Sequence, residues 1–491
     1  MASSKLDPTV VRTSVAILVG GITVILDSTI VSVALHQLAH DLHATIGTIQ
    51  WVSTAYLLAL GVVIPVVGWL QSRIGGKRLW IAAIGVFLLG SVLCSLAWDA
   101  PSLIAFRALQ GVGGGAMMPL MTTIIMQAAG GRDLGRLMSV VALPTAVGPI
   151  LGPVVGGLIL GAGDWRWLFL VNVPLCLAGI VLAALLIPAD RRGGRVRLDV
   201  VGVVLLSPAL VALLWGLSNV TRSGGFGRAD VLAPLVGGAV LLIAFVLWAL
   251  RRRAAALVDL QVLRSRPTWA GTALLFLSGA SLYGAMLLLP LYWQELRGTD
   301  ALGAGLLLIP QGVGSLVSRS VAARLIDAIG ARWTSVIGFL FVGLATLPFA
   351  FADGHTSIWW LGAVLFVRGL GVGVVVIPIM TVAFVGLDRA EVPHASIVTR
   401  IAQQVGGSVG VALLAVILSI TAASSGSPAA AFDAAFWWAT GFTGVAVALS
   451  FVLPSRRAVR ETEAAARGEE PRTFESADAS AGATATATAR E

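Results

Sequence analysis

Residues Gly68–Arg78 read GWLQSRIGGKR, and residues Ala323–Arg332 read ARLIDAIGAR. Setting Gly75 on Gly330 places Leu70 on Leu325, Ile74 on Ile329 and Lys77 on Arg332. A second echo sets Gly114–Pro119 on Gly373–Pro378. Both echoes fall in corresponding places of the two halves of the chain. The spacing therefore predicts a duplicated architecture, and what lies between the echoes decides its nature.

What lies between them is apolar. Of the 491 residues 57% are hydrophobic and 12% charged, more apolar surface than a soluble globule of this length can hide. The apolar residues come in runs of about twenty, the length that crosses a bilayer core as a helix. Fourteen such runs predict an all-α integral membrane protein with 14 transmembrane helices. Matching the second run with the tenth, and the fourth with the twelfth, gives two six-helix halves. The N-terminal half covers 14–188 and the C-terminal half 269–453, with two inserted helices at 199–250. Residues 1–13 form a short N-terminal segment. A tail at 454–491, basic at first and then rich in Glu, Ala and Thr, has too little to bury and is expected to be disordered. Duplicated halves that rock about a central site are a transporter architecture.

Loop charge predicts orientation. Alternate loops hold Arg73, Lys77 and Arg78, then Arg132 and Arg136, Arg191 to Arg197, and Arg251 to Arg253. The intervening loops hold little beyond Arg222, Arg228 and Arg297. By the positive-inside rule the first set and both termini are cytoplasmic, in a multi-pass protein of the cytoplasmic membrane. The net charge of +9 is thereby read as topology and not as a nucleic-acid surface. The partners expected are the lipid bilayer and a lipophilic small molecule, with the protein working as a monomer.

The fifth run contains ALPTAVGPILGPVVGG at Ala142–Gly157. Gly148, Gly152 and Gly156 are four apart, a side-chain-free stripe that lets another helix approach closely. Pro149 and Pro153 each remove a backbone donor, so this helix should bend. With Gly157 they make a mechanical element, expected at the interface between the halves.

Candidate chemistry is sparse. Asp27 is the one acid well inside a span, and an ionisable residue at that depth is a functional candidate. Arg107 lies at a similar depth in the fourth span. Desolvation acts against the charge of such a carboxylate and a guanidinium acts for it, so its protonation can respond to the side it faces. Asp27 and Arg107 are thus the candidate proton-coupling pair. One mid-span acid suits neutral or monocationic substrates. Trp51, Tyr56, Gln110, Gln311 and Gln403 are candidates for a substrate cavity, and Arg368 needs a partner that the sequence does not name. Around Gly68 and Gly75, the cations Arg73, Lys77 and Arg78 can hold helix C-terminal carbonyls or acids of neighbouring helices. The scattered histidines and the isolated Cys94 and Cys176 predict neither a metal site nor a disulfide. No phosphate-binding loop is present. Neither a catalytic residue nor an organic cofactor is expected.

These motifs, taken in order, resemble the major facilitator superfamily, and within it the fourteen-span drug:proton antiporters. Leu26–Val31 is similar to the first-span motif, and Gln50–Tyr56 to the second-span entry. Gly68–Arg78 resembles the cytoplasmic loop motif, Arg107 with Gln110–Gly111 the fourth-span motif, and Gly148–Gly157 the antiporter motif of the fifth span. Ser72 stands where the loop motif usually has aspartate, whereas Asp327 keeps an acid in the second copy; Gln403 stands where arginine is usual. The resemblance implies a major facilitator fold, protons as the coupling ion, and a cytoplasmic gate involving Gly68, Arg73, Gly75, Lys77, Arg78 and Asp327. It implies efflux of lipophilic drugs by alternating access. The competing readings are a dedicated exporter of one metabolite, an uptake symporter and, in another class, a membrane enzyme or receptor. The last would show clustered His, Asp or Glu at a span end, or a sizeable soluble domain.

Overall fold

The computed structural model describes residues 8–44, 46–129, 152, 155–161, 163–188, 198–223, 227–252, 256–299, 301–388, 391–459 and 461. Among them the regular secondary structure is entirely helical. Twelve segments are long and apolar enough to cross a bilayer. In chain order their helices are α1 (Pro8–Val33), α2 (Ile46–Val63), α3 (Gly76–Ser95), α4 (Ala100–Ala129), α5 (Asn172–Leu186), α6 (Val200–Ser223), α7 (Ala229–Arg252), α8 (Arg266–Leu291), α9 (Ile309–Thr346), α10 (Ile358–Ala383), α11 (Val392–Ser425) and α12 (Pro428–Ser450). In hydrocarbon each backbone polar group must bond within its own segment, which is why apolar runs of this length become helices. Large apolar side chains such as Leu89, Leu185 and Val240 face outward on them. Exposed Trp98, Trp167, Trp359 and Trp360 gather at the helix ends away from Gly75 and Gly330, where amphipathic rings suit a membrane interface.

The span count is coarser than the sequence expectation. One of the twelve apolar segments, Gly303–Phe351, is 49 residues long. Its helix α9 is broken at Gly330, where φ is 85° and ψ 161°. The fifth expected run lies largely outside the described residues, including Gly148, Pro149 and Pro153.

The duplication is visible atom by atom. Gly75, between Ile74 and α3, has φ 91° and ψ 158°, nearly the values of Gly330. Both need a residue without a Cβ to turn the chain back between two spans. Lys77 Nζ then donates to the carbonyls of Ala184 and Ile187 at the end of α5, both at 2.7 Å. Its counterpart Arg332 donates from Nε to the Leu453 carbonyl after α12, also at 2.7 Å. In each half a cation after the turn thus holds the last helix by its unpaired C-terminal carbonyls.

The second echo is corrected by one residue. A Cβ at Gly111 would strike the Tyr56 carbonyl, and one at Gly115 would lie 2.7 Å from that of Leu60. Gly369 and Gly373 meet the carbonyls of Gln311 and Ser315 in the same way. Gly113 faces the other neighbour, 2.7 Å from the Ala83 carbonyl, as Gly371 faces that of Gly338 at 2.6 Å. The first echo pairs Tyr56 with Gln311, Leu60 with Ser315 and Ala83 with Gly338. Gly111, Gly113 and Gly115 are therefore equivalent to Gly369, Gly371 and Gly373. Aligning Gly114 with Gly373 put the sequence match one residue out, because a run of adjacent glycines carries no register of its own.

Of the inserted pair, α6 is not peripheral, while α7 packs mainly on α6. Helix α6 lies against α2 of one half and α11 of the other. Ser207 Oγ donates to the Val62 carbonyl at 3.0 Å, and Leu217 packs in one cluster with Val416. At the end carrying Gly75 and Gly330 the two halves share one apolar cluster, with Ile64, Val67 and Ile124 against Ile377, Ala383 and Ile397. There the buried Thr123 hydroxyl donates to Ser396 Oγ at 3.4 Å. At the opposite end the clusters are separate, one around Leu103 and Phe169 and the other around Tyr292 and Phe349. Among the described residues the halves share an apolar cluster at one end and none at the other.

Candidate functional site

Between the halves is a cavity of about 520 Å³, with walls from α1, α2, α4, α6, α8, α9, α10 and α11. Behind its N-terminal wall lies a fully buried polar cluster. Asp27 is 0% exposed and Arg107 1%. Arg107 Nη1 donates to Asp27 Oδ2 at 2.6 Å and to Gln110 Oε1 at 2.6 Å. Asp27 Oδ1 accepts from Gln110 Nε2 at 2.9 Å and from Asn172 Nδ2 at 2.8 Å. Ser91 Oγ accepts from the same two amides, at 2.6 and 3.2 Å. Arg107 Nε donates to the Val52 carbonyl at 3.2 Å. A buried carboxylate is tolerable only when its oxygens are bonded and its charge is opposed, and α1, α3, α4 and α5 each supply a member of this set.

Packing brings the cluster together. A Cβ at Gly90 would lie 2.7 Å from Gln110 Cα, so Gly90 lets α3 approach α4 until Ser91 and Gln110 meet. The Tyr56 ring covers the Arg107 guanidinium at 4.2 Å, a cation–π contact in a water-poor site. Tyr56 also lines the cavity, so it is the partition between cavity and ion pair.

Of the cavity candidates, Tyr56, Gln311 and Gln403 are in its wall. Trp51 and Gln110 are not. Trp51 packs on Trp215 of the inserted α6, with ring centroids 4.5 Å apart, and Gln110 belongs to the Asp27 cluster. Asp27 itself does not reach the cavity surface, which removes the basis for expecting a negative charge there. The sequence reading missed Ser91 and Asn172. Their signals were a Gly–Ser pair inside an apolar run and a lone amide in WLFLVNVPL.

Arg368 has its partners in neutral groups. Its Nε donates to Thr346 Oγ1 at 3.0 Å and its Nη1 to Gln311 Oε1 at 2.8 Å. By the corrected second echo Arg368 stands at the place of Gln110, and by the first echo Thr346 stands at that of Ser91 and Gln311 at that of Tyr56. The polar cluster is thus duplicated with its fold, while Leu365 takes the place of Arg107.

At the loop, Lys77 caps α5 as described. Arg73 lies over the Trp69 ring at 5.5 Å, and Arg78 and Asp327 are exposed. None of Arg73, Arg78 and Asp327 forms an ion pair among the described residues. Gly68 faces Ile397 of the other half, with 3.2 Å from an added Cβ to Cδ1. Of the fifth-run motif, Gly152 and Gly156 pack on α1: a Cβ at Gly152 would strike Thr29, and one at Gly156 would lie 3.3 Å from the Ile30 carbonyl. Their close approach is within one half and not, as expected, across the interface. Gly157 is half-buried. No three His, Cys, Asp or Glu side chains converge among the described residues.

Comparison with known proteins sets this geometry in context. The sequence profile described as Major Facilitator Superfamily matches residues 17–411. The chain is 34% identical to a multidrug resistance protein B homolog of Mycobacterium tuberculosis over 417 residues, covering 84% of this chain and 77% of that protein. It is 32% identical to the tetracenomycin C resistance and export protein of Streptomyces glaucescens, over 83% of this chain and 76% of that protein. Among solved structures, the human organic anion transporter MFSD10 superposes with a TM-score of 0.62 at 13% identity, covering 91% of this chain and 100% of that one. The proton:xylose symporter XylE does so with a TM-score of 0.62 at 14% identity, covering 91% and 96%.

Proposed function

The chain belongs to the Major Facilitator Superfamily, and from that premise we propose that it exports lipophilic small molecules in exchange for protons, by alternating access. The observation that carries the reading is the sealed Asp27–Arg107 pair behind Tyr56, beside a cavity between two repeated halves. A proton taken by Asp27 removes the charge that opposes Arg107, so protonation changes what holds α1 against α4. The names of the drug-resistance relatives support export over uptake and multidrug handling as the first reading. A dedicated exporter is the second, favoured by the relative named for tetracenomycin C.

We read the architecture as fourteen spans, counting α9 as two and the fifth run as one. Both termini are placed in the cytoplasm by loop charge, and the functional unit is a monomer. The closed end that carries Gly75 and Gly330 is then cytoplasmic, and the cavity faces outward. In that state a proton reaches Asp27 from outside once Tyr56 moves. Inward proton movement gains about 2.3 kcal/mol per charge for each 100 mV of membrane potential.

The test is transport by the purified protein in proteoliposomes with an imposed pH gradient, across a compound panel, comparing Asp27→Asn with the unmodified chain. Gradient-driven export should vanish in the variant while exchange without a gradient persists. Undiminished gradient-driven export by a normally assembled Asp27→Asn protein would remove Asp27 from the coupling role.

A further inference from the structure

The cavity wall has a charge that the efflux reading does not use. Among the described residues no carboxylate lines it, whereas Arg319 and Arg400 do. The sequence from 134 to 163, which includes the fifth run, contains no acid either. Arg400 Nη1 donates to Gln403 Oε1 at 3.0 Å, a neutral partner that also lines the cavity. Among the described residues, Arg400 Nε is buried with no hydrogen-bond partner. Behind the wall Arg368 is held by Thr346 and Gln311, so among the described residues another positive charge has neutral ligands and stands behind the lining Gln311.

The repeat sharpens the contrast. In the N-terminal half the cluster of Gln110 and Ser91 includes an acid and a base. The equivalent cluster in the C-terminal half has Arg368 and Thr346 and, among the described residues, no acid. A guanidinium in a low-dielectric wall is costly while its partners are neutral, and gains most from a carboxylate or phenolate that can take its planar donors. The remaining wall, with Leu57, Met118, Leu275 and Met380, solvates an apolar body. A cation placed there would meet like charge.

We infer that the preferred substrates are amphipathic organic acids, carried as anions with the acid group against Arg400 and the apolar body between the halves. The inference rests on the export reading and names its substrate class. An anion leaving as a proton enters moves two charges per cycle, so the membrane potential drives such an exchange twice as strongly as that of a neutral compound.

The experiment uses everted vesicles carrying the full chain and three probes that share an anthracene body: anthracene-9-carboxylate, its amide, and anthracen-9-ylmethylammonium. Accumulation driven by a pH gradient is measured against vesicles lacking the protein. The carboxylate should exceed both other probes. R400Q should lower the carboxylate-to-amide ratio about tenfold, the loss of a charge-assisted hydrogen bond, and R400K, which keeps the charge without the planar donors, should restore part of it. The wild-type preference needs no variant, so a folding defect in R400Q leaves the test intact. Preference for the ammonium or the amide, or an unchanged ratio in R400Q, overturns the assignment while Asp27-dependent export still stands. Gradient-driven movement of none of the three overturns it together with the export reading.

Discussion

The Asp27–Arg107 pair lends itself to a double-mutant cycle whose answer the second half of the chain already sketches. Asp27→Asn leaves a guanidinium that is 1% exposed without its counter-charge, while Arg107→Leu leaves a carboxylate that is 0% exposed with only the amides of Gln110 and Asn172. Removing one partner of a buried pair costs about 3–5 kcal/mol, whereas replacing both by neutral groups is close to neutral. Leu365, fully buried, occupies the Arg107 position in the C-terminal half, so this fold accommodates leucine there. The double variant Asp27→Asn/Arg107→Leu should therefore melt above either single variant, with a coupling energy of about 3 kcal/mol or more. The assay is thermal unfolding of the detergent-purified full chain, followed by the fraction still monodisperse after heating. All three variants should lose gradient-driven transport, so the stability order separates what the pair does for the fold from what it does for coupling. A double variant that melts at the sum of the single losses would refute the reasoning.

Four further outcomes follow from particular contacts. Gly75→Ala and Gly330→Ala force an L side chain to φ 91°, ψ 158° and φ 85°, ψ 161°, an essentially Gly-only region, so each should lose about 1–3 kcal/mol in the same melting assay. Gly85→Ala, with nothing within 4 Å of an added Cβ, should match the parent. Tyr56→Ala uncovers Arg107 and should let protons leak in the absence of substrate, read as faster decay of an interior pH dye in proteoliposomes; an unchanged decay refutes the partition. Thr123→Cys with Ser396→Cys should cross-link across the closed end, where the hydroxyl oxygens are 3.4 Å apart. Cys94 and Cys176 both lie in the N-terminal half, so a disulfide between them would not join the halves as the engineered pair does; oxidation should stop transport and a reductant restore it. Gly152→Leu drives a side chain into Thr29 and should abolish transport, whereas Gly161→Leu, with open space around it, should not.

The helical membrane class and the repeat were legible because they rest on local quantities. Run length needs only composition, and a turn at positive φ needs glycine, so Gly75 and Gly330 could be paired by eye. The Asp27–Arg107 contact was legible because two charges at one depth in hydrocarbon have few other partners to find. Ser91 and Asn172 were not, since a serine or an amide in a span is cheap enough to face a neighbouring helix for packing alone. Only helix packing, such as the α3–α4 approach that Gly90 allows at Ser91, brings them into the cluster around Asp27. Gln110 and Trp51 were misplaced for a related reason: helix rotation decides whether a polar or aromatic side chain points to the cavity, to the cluster or to an added helix. A period of 3.6 residues in an almost uniformly apolar run does not report rotation.

The same limit explains why charge was misjudged. Counting acids along the spans assigns a negative site to the cavity, but the acid is enclosed with its own cation and contributes no net charge to the wall. What the wall carries is set by Arg400, whose side-chain partner Gln403 is neutral, and Arg400 lies in the C-terminal half. Duplication placed equivalent polar positions in both halves, Gln110 with Ser91 and Arg368 with Thr346, and divergence then made them unequal. On the proposed reading one copy handles the proton and the other meets the substrate. Restoring symmetry is therefore informative: Arg368→Gln recreates the Gln110 arrangement opposite Thr346 and removes a positive charge behind Gln311. It should weaken carboxylate export while leaving the proton leak of the substrate-free protein unchanged. A faster leak in Arg368→Gln would show that the two clusters are not separate devices.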